Sequence, residues 1–252
     1  MATYLCWLNN RNLQKLRVAT QSDNEAVISM LKLDLHIHSR YSEDAQGTPR
    51  QIIKVLQKKG IEGMALTDHN TIKGALEALK FQTKEFVVIP GIEVSTTDGH
   101  LLALNVTDDI PRDKTVVETV DMILDAGGTP VVPHLFRRMS GIKRPKLEEV
   151  QNKIPAMEVF NGCSLTKTNI KTAKVARELK LGGTGGSDAH EPACAGFGYT
   201  LVDTTDLSRD AIMTEICNKN TWGEGTTISL QIRRDRMLRS IKQFFQRGFK
   251  RI

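Results

Sequence analysis

The sequence predicts an α/β fold in which a parallel sheet curves into a barrel. Short apolar runs of strand length alternate along the chain with longer runs of helical periodicity, an order typical of such barrels. The chain also has six histidines, and each is expected to lie at or just beyond the C-terminal end of a strand. At 252 residues the chain has room for one barrel with extensions.

Eight segments have the length and apolar content of β-strands. They are Lys32–Ile37, Gly63–Leu66, Phe86–Val94, Leu101–Val106, Thr129–Pro133, Ala156–Phe160, Gly183–Gly186 and Tyr199–Val202. Helical segments lie between them. The first begins at Pro49 and stops at Gly60, the second is expected to be capped by Asp113, and a third follows Asn169.

The composition is that of an ordinary globular protein and excludes several classes. The chain is 40% hydrophobic and 25% charged, and no apolar run approaches the ~18 residues that a transmembrane helix requires. Its four cysteines show no CxxC pairing. This argues against a disulfide framework or a thiolate zinc site and favours a reducing, cytoplasmic location.

The net charge of +6 is concentrated at one end of the sequence. Residues 231–252 contain eight Lys or Arg and one Asp, and therefore carry +7. The remaining residues, with 27 basic and 28 acidic side chains, carry −1. The basic character of the whole chain is therefore no evidence that its main body binds nucleic acid.

Residues 226–252 are predicted to form a basic amphipathic C-terminal tail. Apolar side chains recur there at helical spacings, while Arg and Lys occupy the remaining positions. These apolar residues are Met237, Ile241, Phe244, Phe245 and Phe249. The stripe would pack on the barrel, lie on an anionic membrane surface as in a peripheral protein, or contact polynucleotide or polyphosphate. A docking role toward a partner is also open.

Residues 1–29 differ from the rest of the chain. They have weak periodicity and no secretory apolar region followed by a cleavage site. We interpret them as a peripheral N-terminal extension or the result of an upstream start site; an added helix packed on the barrel is the alternative. The main domain is then expected to span residues 30–225.

The histidines predict a metal site at one end of the barrel. The C-terminal ends of parallel barrel strands face a single mouth, so side chains placed there converge. In the His36-x-His38 pair, both imidazoles lie on the same side of a strand. Imidazole and carboxylate donors without cysteine suit Zn, Mn or Fe(II). The accompanying carboxylates are Asp44, Asp68, Glu93 and Asp188.

A series of motifs from about Met30 to Asn220 resembles the PHP (polymerase and histidinol phosphatase) family of metal-dependent phosphoesterases. The motifs are DLHIHSRYSEDAQGTP, MALTDHNT, IPGIEVST followed by GHLLAL, VVPHLFRR, MEVFNG and TGGSDAH. The resemblance implies a distorted (β/α)7 barrel and a hydrolase with two to three divalent ions. It also implies that a metal-bridging hydroxide attacks the phosphoester.

The same resemblance implies nine metal ligands. The first ion would be held by His36, His38, Glu93 and Asp188. Glu93 would bridge to a second ion, which His100 and His134 also bind. The third ion would be held by Asp44, His69 and His190. Asp44 lies one residue further from His38 than in many relatives, so Glu43 competes for that position.

Three further residues are candidates for catalytic roles. Asp68 would orient a metal-binding side chain without binding the ion itself, with a turn or capping role as the alternative. Arg137 and Arg138 directly follow the motif VVPHLF and would hold phosphate oxygens bidentately, unless they are solvated loop charges. Three divalent ions, three carboxylates and one hydroxide leave a formal charge of about +2, which matches a phosphomonoester dianion.

The expected substrate is a phosphorylated small molecule or a nucleotide. His100 and His134 are only 34 positions apart, so the long insertion that some relatives carry there is missing. The site is then expected to be open, which argues against a nucleotide-specific enzyme. A small-metabolite phosphatase such as histidinol phosphatase, or a non-catalytic PHP scaffold module, are the alternatives.

Overall fold

The computed structural model of the protein describes residues 30–246 and residue 248; the expectations for residues 1–29 and for Phe249 lie outside them. Nine strands occur in the described part: β1 (Leu31–Ile37), β2 (Gly63–His69), β3 (Val87–Thr96), β4 (Gly99–Leu104), β5 (Thr129–Val132), β6 (Ala156–Asn161), β7 (Gly182–Gly186), β8 (Gly198–Val202) and β9 (Thr221–Gly225). The α-helices of the same part are α1 (Pro49–Lys58), α2 (Lys73–Leu79), α3 (Val116–Asp125), α4 (Arg144–Val150), α5 (Thr166–Glu178), α6 (Arg209–Cys217) and α7 (Leu230–Gln246).

The strands form one sheet that closes almost completely on itself. Its order is β7-β6-β5-β4-β3-β2-β1-β8-β9. Beyond the end of β7, a parallel bridge joins Ile37 to Ala189, and the Asp188 amide donates to the His36 carbonyl at 2.7 Å. The predicted barrel-shaped α/β fold is thus confirmed. Strands β8 and β9 continue the sheet from β1, and the Thr200 hydroxyl of β8 donates to the Gly185 carbonyl of β7.

Two strands of the sheet run against the others, namely β4 and β8, which pairs antiparallel with β1. Strand β4 pairs antiparallel with both β3 and β5, so the expectation of a purely parallel barrel is wrong there. The cause is the short reversal between Thr96 and Gly99, where the Thr96 hydroxyl donates to the Gly99 carbonyl at 2.6 Å. Such a turn leaves no length for the crossover that a parallel neighbour needs.

This reversal corrects the expected position of one histidine. His100 lies at the N-terminal end of β4, paired with Ser95 near the end of β3. It reaches the same mouth as the other histidines because its strand runs in the opposite direction. A hairpin therefore delivers two strand ends to the site at once.

Local capping motifs set the starts of two helices. In α1, Pro49 lies in the first turn, as the sequence suggests, and Thr48 and Gln51 form a capping box. In α3, the cap is Thr115, whose hydroxyl pairs with the Glu118 amide. The expectation of an Asp113 cap is wrong: Asp113 lies two residues earlier, with a backbone φ of +62°.

The barrel interior below the site is filled by aliphatic side chains. Leu33 and Leu35 of β1 join Ile89 and Leu102 in this cluster, and Ile212 of α6 packs against them. A second apolar cluster lies between the sheet and the surrounding helices. The site therefore rests on a packed layer.

A break in the pairing of β1 aims its histidines into the barrel. The register between β1 and β2 shifts between Asp34 and Ile37. Leu33 and Leu35 face the interior before the shift, and His36 and His38 face the site after it. Such irregularities commonly re-aim side chains next to active sites.

Candidate metal centre

All six predicted histidines meet at the mouth of the barrel. The ring centroids of His38 and His190 are 4.2 Å apart, and those of His36 and His134 are 5.5 Å apart. His69 and His100 complete the group, with ring centroids 5.5 Å apart. These side chains come from β1, β2, β4 and the segments that follow β5 and β7, so the fold assembles a cluster that no single segment contains.

Glu93 lies at the centre of this cluster and is fully buried. Its Oε1 is 2.8 Å from both His100 Nδ1 and His134 Nε2. Its Oε2 faces a different set of ring nitrogens at 3.2–3.3 Å, namely His36 Nε2, His38 Nε2 and His69 Nδ1. The two oxygens of one carboxylate thus face separate histidine groups, which is the placement that a bridging ligand requires.

Two other predicted carboxylates complete the ring of donors. Asp188 Oδ1 lies 3.8 Å from His36 Nε2 and 3.6 Å from His38 Nε2. Asp44 Oδ2 is 3.1 Å from His190 Nε2, and Asp44 Oδ1 is 3.8 Å from His69 Nε2. Its competitor Glu43 has an exposed side chain. The geometry therefore favours Asp44 over Glu43.

The proton positions on the first two histidines follow from their partners. His36 Nδ1 is 3.0 Å from Glu158 Oε1, and a carboxylate oxygen accepts, so His36 Nδ1 carries a proton. His38 Nδ1 is 3.2 Å from Ser42 Oγ. The Ser42 hydroxyl donates its single proton to Asp68 Oδ1 at 2.8 Å, so it can only accept from His38.

As a result, the neutral forms of His36 and His38 both direct Nε2 lone pairs toward the centre. These two Nε2 atoms are only 3.2 Å apart. Glu93 Oε2, His69 Nδ1 and Asp44 Oδ1 are also buried and make no hydrogen bond within the described residues. Converging lone pairs and buried oxygens without donors need cations, so the donor set fits divalent metal ions.

The pKa values in the cluster show the same demand for positive charge. Burial opposes protonation of His36, yet Glu158, Glu93 and Asp188 hold its pKa well above the usual value. Burial opposes ionisation of Glu93, but the surrounding imidazoles hold its pKa well below the usual range. In contrast, burial, reinforced by Arg137, lowers the pKa of His134 to about 4, so this side chain is neutral, as a metal ligand must be.

Two of the candidate ligands have unusual backbones. The φ angle is +24° at His134 and +52° at Asp188. Non-glycine residues rarely occupy this region, at a cost of about 1–3 kcal/mol, and they do so mainly at functional sites. The Asp188 backbone is held by the hydrogen bond that its amide donates to the His36 carbonyl. The same contact closes the barrel, so barrel closure and the position of this ligand are set together.

The structure separates the two predicted arginines. The guanidinium of Arg137 pairs with the Asp188 carboxylate at the centre of the site. The side chain of Arg138 is exposed. Asp68 is fully buried and accepts hydrogen bonds from the Ser39 amide, the Ser39 hydroxyl and the Ser42 hydroxyl. It therefore supports His38 through Ser42.

Sequence reasoning missed Glu158 and left Asn161 without a role. Glu158 Oε1 accepts a hydrogen bond from His36 Nδ1. Its other oxygen, Oε2, accepts one from the His134 backbone amide at 2.9 Å. Asn161 Nδ2 donates to both Glu158 and Asp188. Both residues belong to the motif MEVFNG, at the end of a strand that carries no histidine. A single acid within the apolar run AMEVF was the available indication.

An α/β barrel with a buried histidine–carboxylate cluster at its mouth fits a protein that binds metal ions. Residues 34–161 match the model of the PHP domain, and residues 167–221 match the PHP-associated model. The PHP match spans just over half of the chain, and the protein belongs to the PHP family. The expected resemblance is confirmed, and with it the class of metal-dependent phosphoesterases.

Two curated proteins are similar to parts of this chain. The uncharacterized protein MJ1587 of Methanocaldococcus jannaschii is 36% identical over 163 residues, which are 59% of this chain and 94% of the relative. A phosphoribosyl 1,2-cyclic phosphate 1,2-diphosphodiesterase of Eggerthella lenta is 35% identical over 85 residues, 31% of this chain and 32% of that protein.

Solved structures share the fold. A two-domain protein from Bacteroides vulgatus, which contains a predicted PHP-like metal-dependent phosphoesterase, superposes with a TM-score of 0.68 at 18% identity. The match covers 79% of this chain and 65% of that one. Within the described residues, no helix has the length and apolar character that crossing a membrane demands.

Proposed function

We propose that the protein hydrolyses a phosphoester bond at a site that holds two to three divalent ions, Mn, Zn or Fe(II). One observation carries this proposal: the two oxygens of buried Glu93 face two separate groups of histidine nitrogens at 2.8–3.3 Å. One carboxylate so placed serves adjacent ions, and adjacent ions suit phosphoester hydrolysis.

The proposed ligands fall into three groups around Glu93. The first is His36, His38 and Asp188, the second His100 and His134, and the third Asp44, His69 and His190. When bound, the ions would lower the pKa of a coordinated water to about 7 and offset the charge of the phosphate. The chain holds the protons of His36 and His38 on Nδ1, so that Nε2 stays available.

Arg137 would bind the phosphate in this mechanism. Its guanidinium already contacts Asp188, a proposed ligand, and it therefore lies within reach of a phosphate held by the ions. The planar guanidinium can bind two oxygens at once, which orients the phosphorus for attack by water.

The complete donor set favours an enzyme over a non-catalytic scaffold. Burial of Glu93, Asp188 and Glu158 together is costly unless cations compensate their charge, so a scaffold would gain nothing by keeping them. A phosphorylated small molecule or a nucleotide remains the proposed substrate, and a small-metabolite phosphatase is the narrower alternative.

Purified protein loaded in turn with Mn, Zn or Fe(II) tests the proposal. Metal content is measured by mass spectrometry, and hydrolysis is followed with p-nitrophenyl phosphate, bis(p-nitrophenyl) phosphate and histidinol phosphate. We expect near-stoichiometric metal and turnover of at least one ester. A protein that purifies without metal and cleaves none of them would be a scaffold, and the proposal would be wrong.

A further inference from the structure

Helix α7 presents an apolar stripe to solvent. Met237 is 56% exposed, Ile241 46% and Phe245 59%. With Leu230, which is also exposed, these residues recur at helical spacing and share one face. Large apolar side chains on one exposed face mark an interaction surface rather than ordinary surface variation.

The first turn of the same helix is already fixed to the barrel. Ile232 packs against the apolar cluster beneath the helices. The Arg233 guanidinium donates to the backbone carbonyls of Cys163, Ser164 and Ile228. These contacts hold the start of the helix on the barrel. The exposure of Met237, Ile241 and Phe245 further along does not match the interpretation in which the stripe packs on the barrel.

The attachment places the start of α7 near the candidate metal centre. The Ile228 amide donates to the Gly162 carbonyl at 2.9 Å, in the segment that follows β6. In the same segment, Cys163 Sγ contacts the Asp188 carbonyl oxygen at 3.4 Å. The segment that follows β5 adds two more exposed apolar residues, Phe136 and Met139, on either side of Arg137 and Arg138.

We propose that α7 docks the protein on an anionic lipid bilayer, with its apolar stripe in the interface and the barrel mouth close to the membrane surface. Residues 231–252 carry +7, and a basic helix with an exposed apolar face has the features of an interfacial helix. Basic residues near an anionic surface add to the burial of the stripe.

Two other occupants fit the observations less well. A polynucleotide would neutralise the charge but would leave the aliphatic side chains of Leu230, Met237 and Ile241 without a partner. A symmetric pair of α7 helices would cover the stripe. It would, however, bring together two copies of residues 231–252, each with a charge of +7, and these would repel each other. An anionic bilayer satisfies both the charge and the apolar face.

Vesicle cosedimentation of the full chain tests this proposal. The vesicles contain phosphatidylcholine alone or phosphatidylcholine mixed with phosphatidylglycerol. We expect binding only to the mixed vesicles, and weaker binding at high salt. The double variant Met237→Gln/Ile241→Gln should bind roughly tenfold less or weaker still, because it loses apolar burial in the interface.

The matched control is Leu76→Gln/Leu124→Gln, which changes two exposed apolar residues on α2 and α3. It should bind within about twofold of the unchanged protein, and both variants should keep hydrolysis of a soluble phosphoester. Absence of vesicle binding by the full chain, or equal binding by the two variants, would overturn the proposal. Size-exclusion chromatography and polynucleotide binding would then identify a second copy or a nucleic acid as the occupant.

Discussion

Glu93 contacts two groups of histidines, so the loss of its charge should affect more than one ion. We predict that Glu93→Gln, which keeps the shape of the side chain, lowers phosphoesterase activity by about 100-fold or more, beyond the ~10–100-fold typical of residues that only support ligands. Metal content should fall in parallel. The exposed Glu148→Gln serves as control, and activity within about threefold of the unchanged protein would show that Glu93 bridges nothing.

Two serines that share one aspartate allow a test of ligand support. Ser42 and Ser39 both donate to Asp68, but only Ser42 also contacts His38. We predict that Ser42→Ala weakens metal affinity about 10–100-fold, because His38 loses the acceptor that fixes its proton on Nδ1. Ser39→Ala should keep metal affinity within about threefold of that of the unchanged protein. Competition with a fluorescent chelator measures the affinity of both variants. Equal effects would mean that Asp68 acts only on the fold.

Neighbouring arginines provide a similar comparison for phosphate binding. Arg137 pairs with Asp188, whereas Arg138 is exposed. We predict that Arg137→Ala lowers kcat/KM about tenfold to a hundredfold, the usual scale for a lost hydrogen bond to a charged group. Arg138→Ala should change kcat/KM by less than about twofold. If Arg138→Ala had a larger effect on kcat/KM than Arg137→Ala, the phosphate contact would belong to Arg138 and the prediction would be wrong.

At the level of single elements, the cap of α3 is open to a direct test. We predict that Thr115→Ala lowers the free energy of unfolding by about 1 kcal/mol, because its hydroxyl pairs with the Glu118 amide. Asp113→Asn, which tolerates the same positive φ, should cost only a few tenths of a kcal/mol. Urea denaturation of the two variants measures the difference. Unchanged stability of Thr115→Ala would show that this hydroxyl does not cap α3.

The elements that sequence could not predict share one property: they depend on a partner strand. Strand β9 reads TWGEG, without apolar alternation, and is a strand because it pairs with β8. The direction of β4 depends on a four-residue turn that length alone does not reveal. The register shift in β1 likewise requires its neighbour. Most strands, and every histidine position except that of His100, were predictable because each carries its own local pattern.

For the whole molecule, the proposed ions join segments that are far apart in sequence. Their ligands come from β1, β2, β3, β4 and the segments after β5 and β7, so bound ions should stabilise the fold. Ions at about 100 times their Kd contribute ~2.7 kcal/mol. For a domain of this size, we therefore predict that chelation lowers Tm by roughly 5–10 °C. Glu93→Gln should show a clearly smaller shift, and an unchanged Tm for the original protein would contradict the idea of ions bridging strands.

The close approach of β7 to β1 has a consequence for the order of folding. Four of the five residues of β7 are glycine, and a side chain on Gly186 would lie 2.4 Å from His36 Cβ. This contact joins the first and seventh strands, so it closes a long loop and is slow to form. His36 and Asp188 meet only when it forms. The protein should therefore acquire its high-affinity metal site in the last kinetic phase of refolding, after its helices are complete, which stopped-flow fluorescence with a metal indicator would resolve.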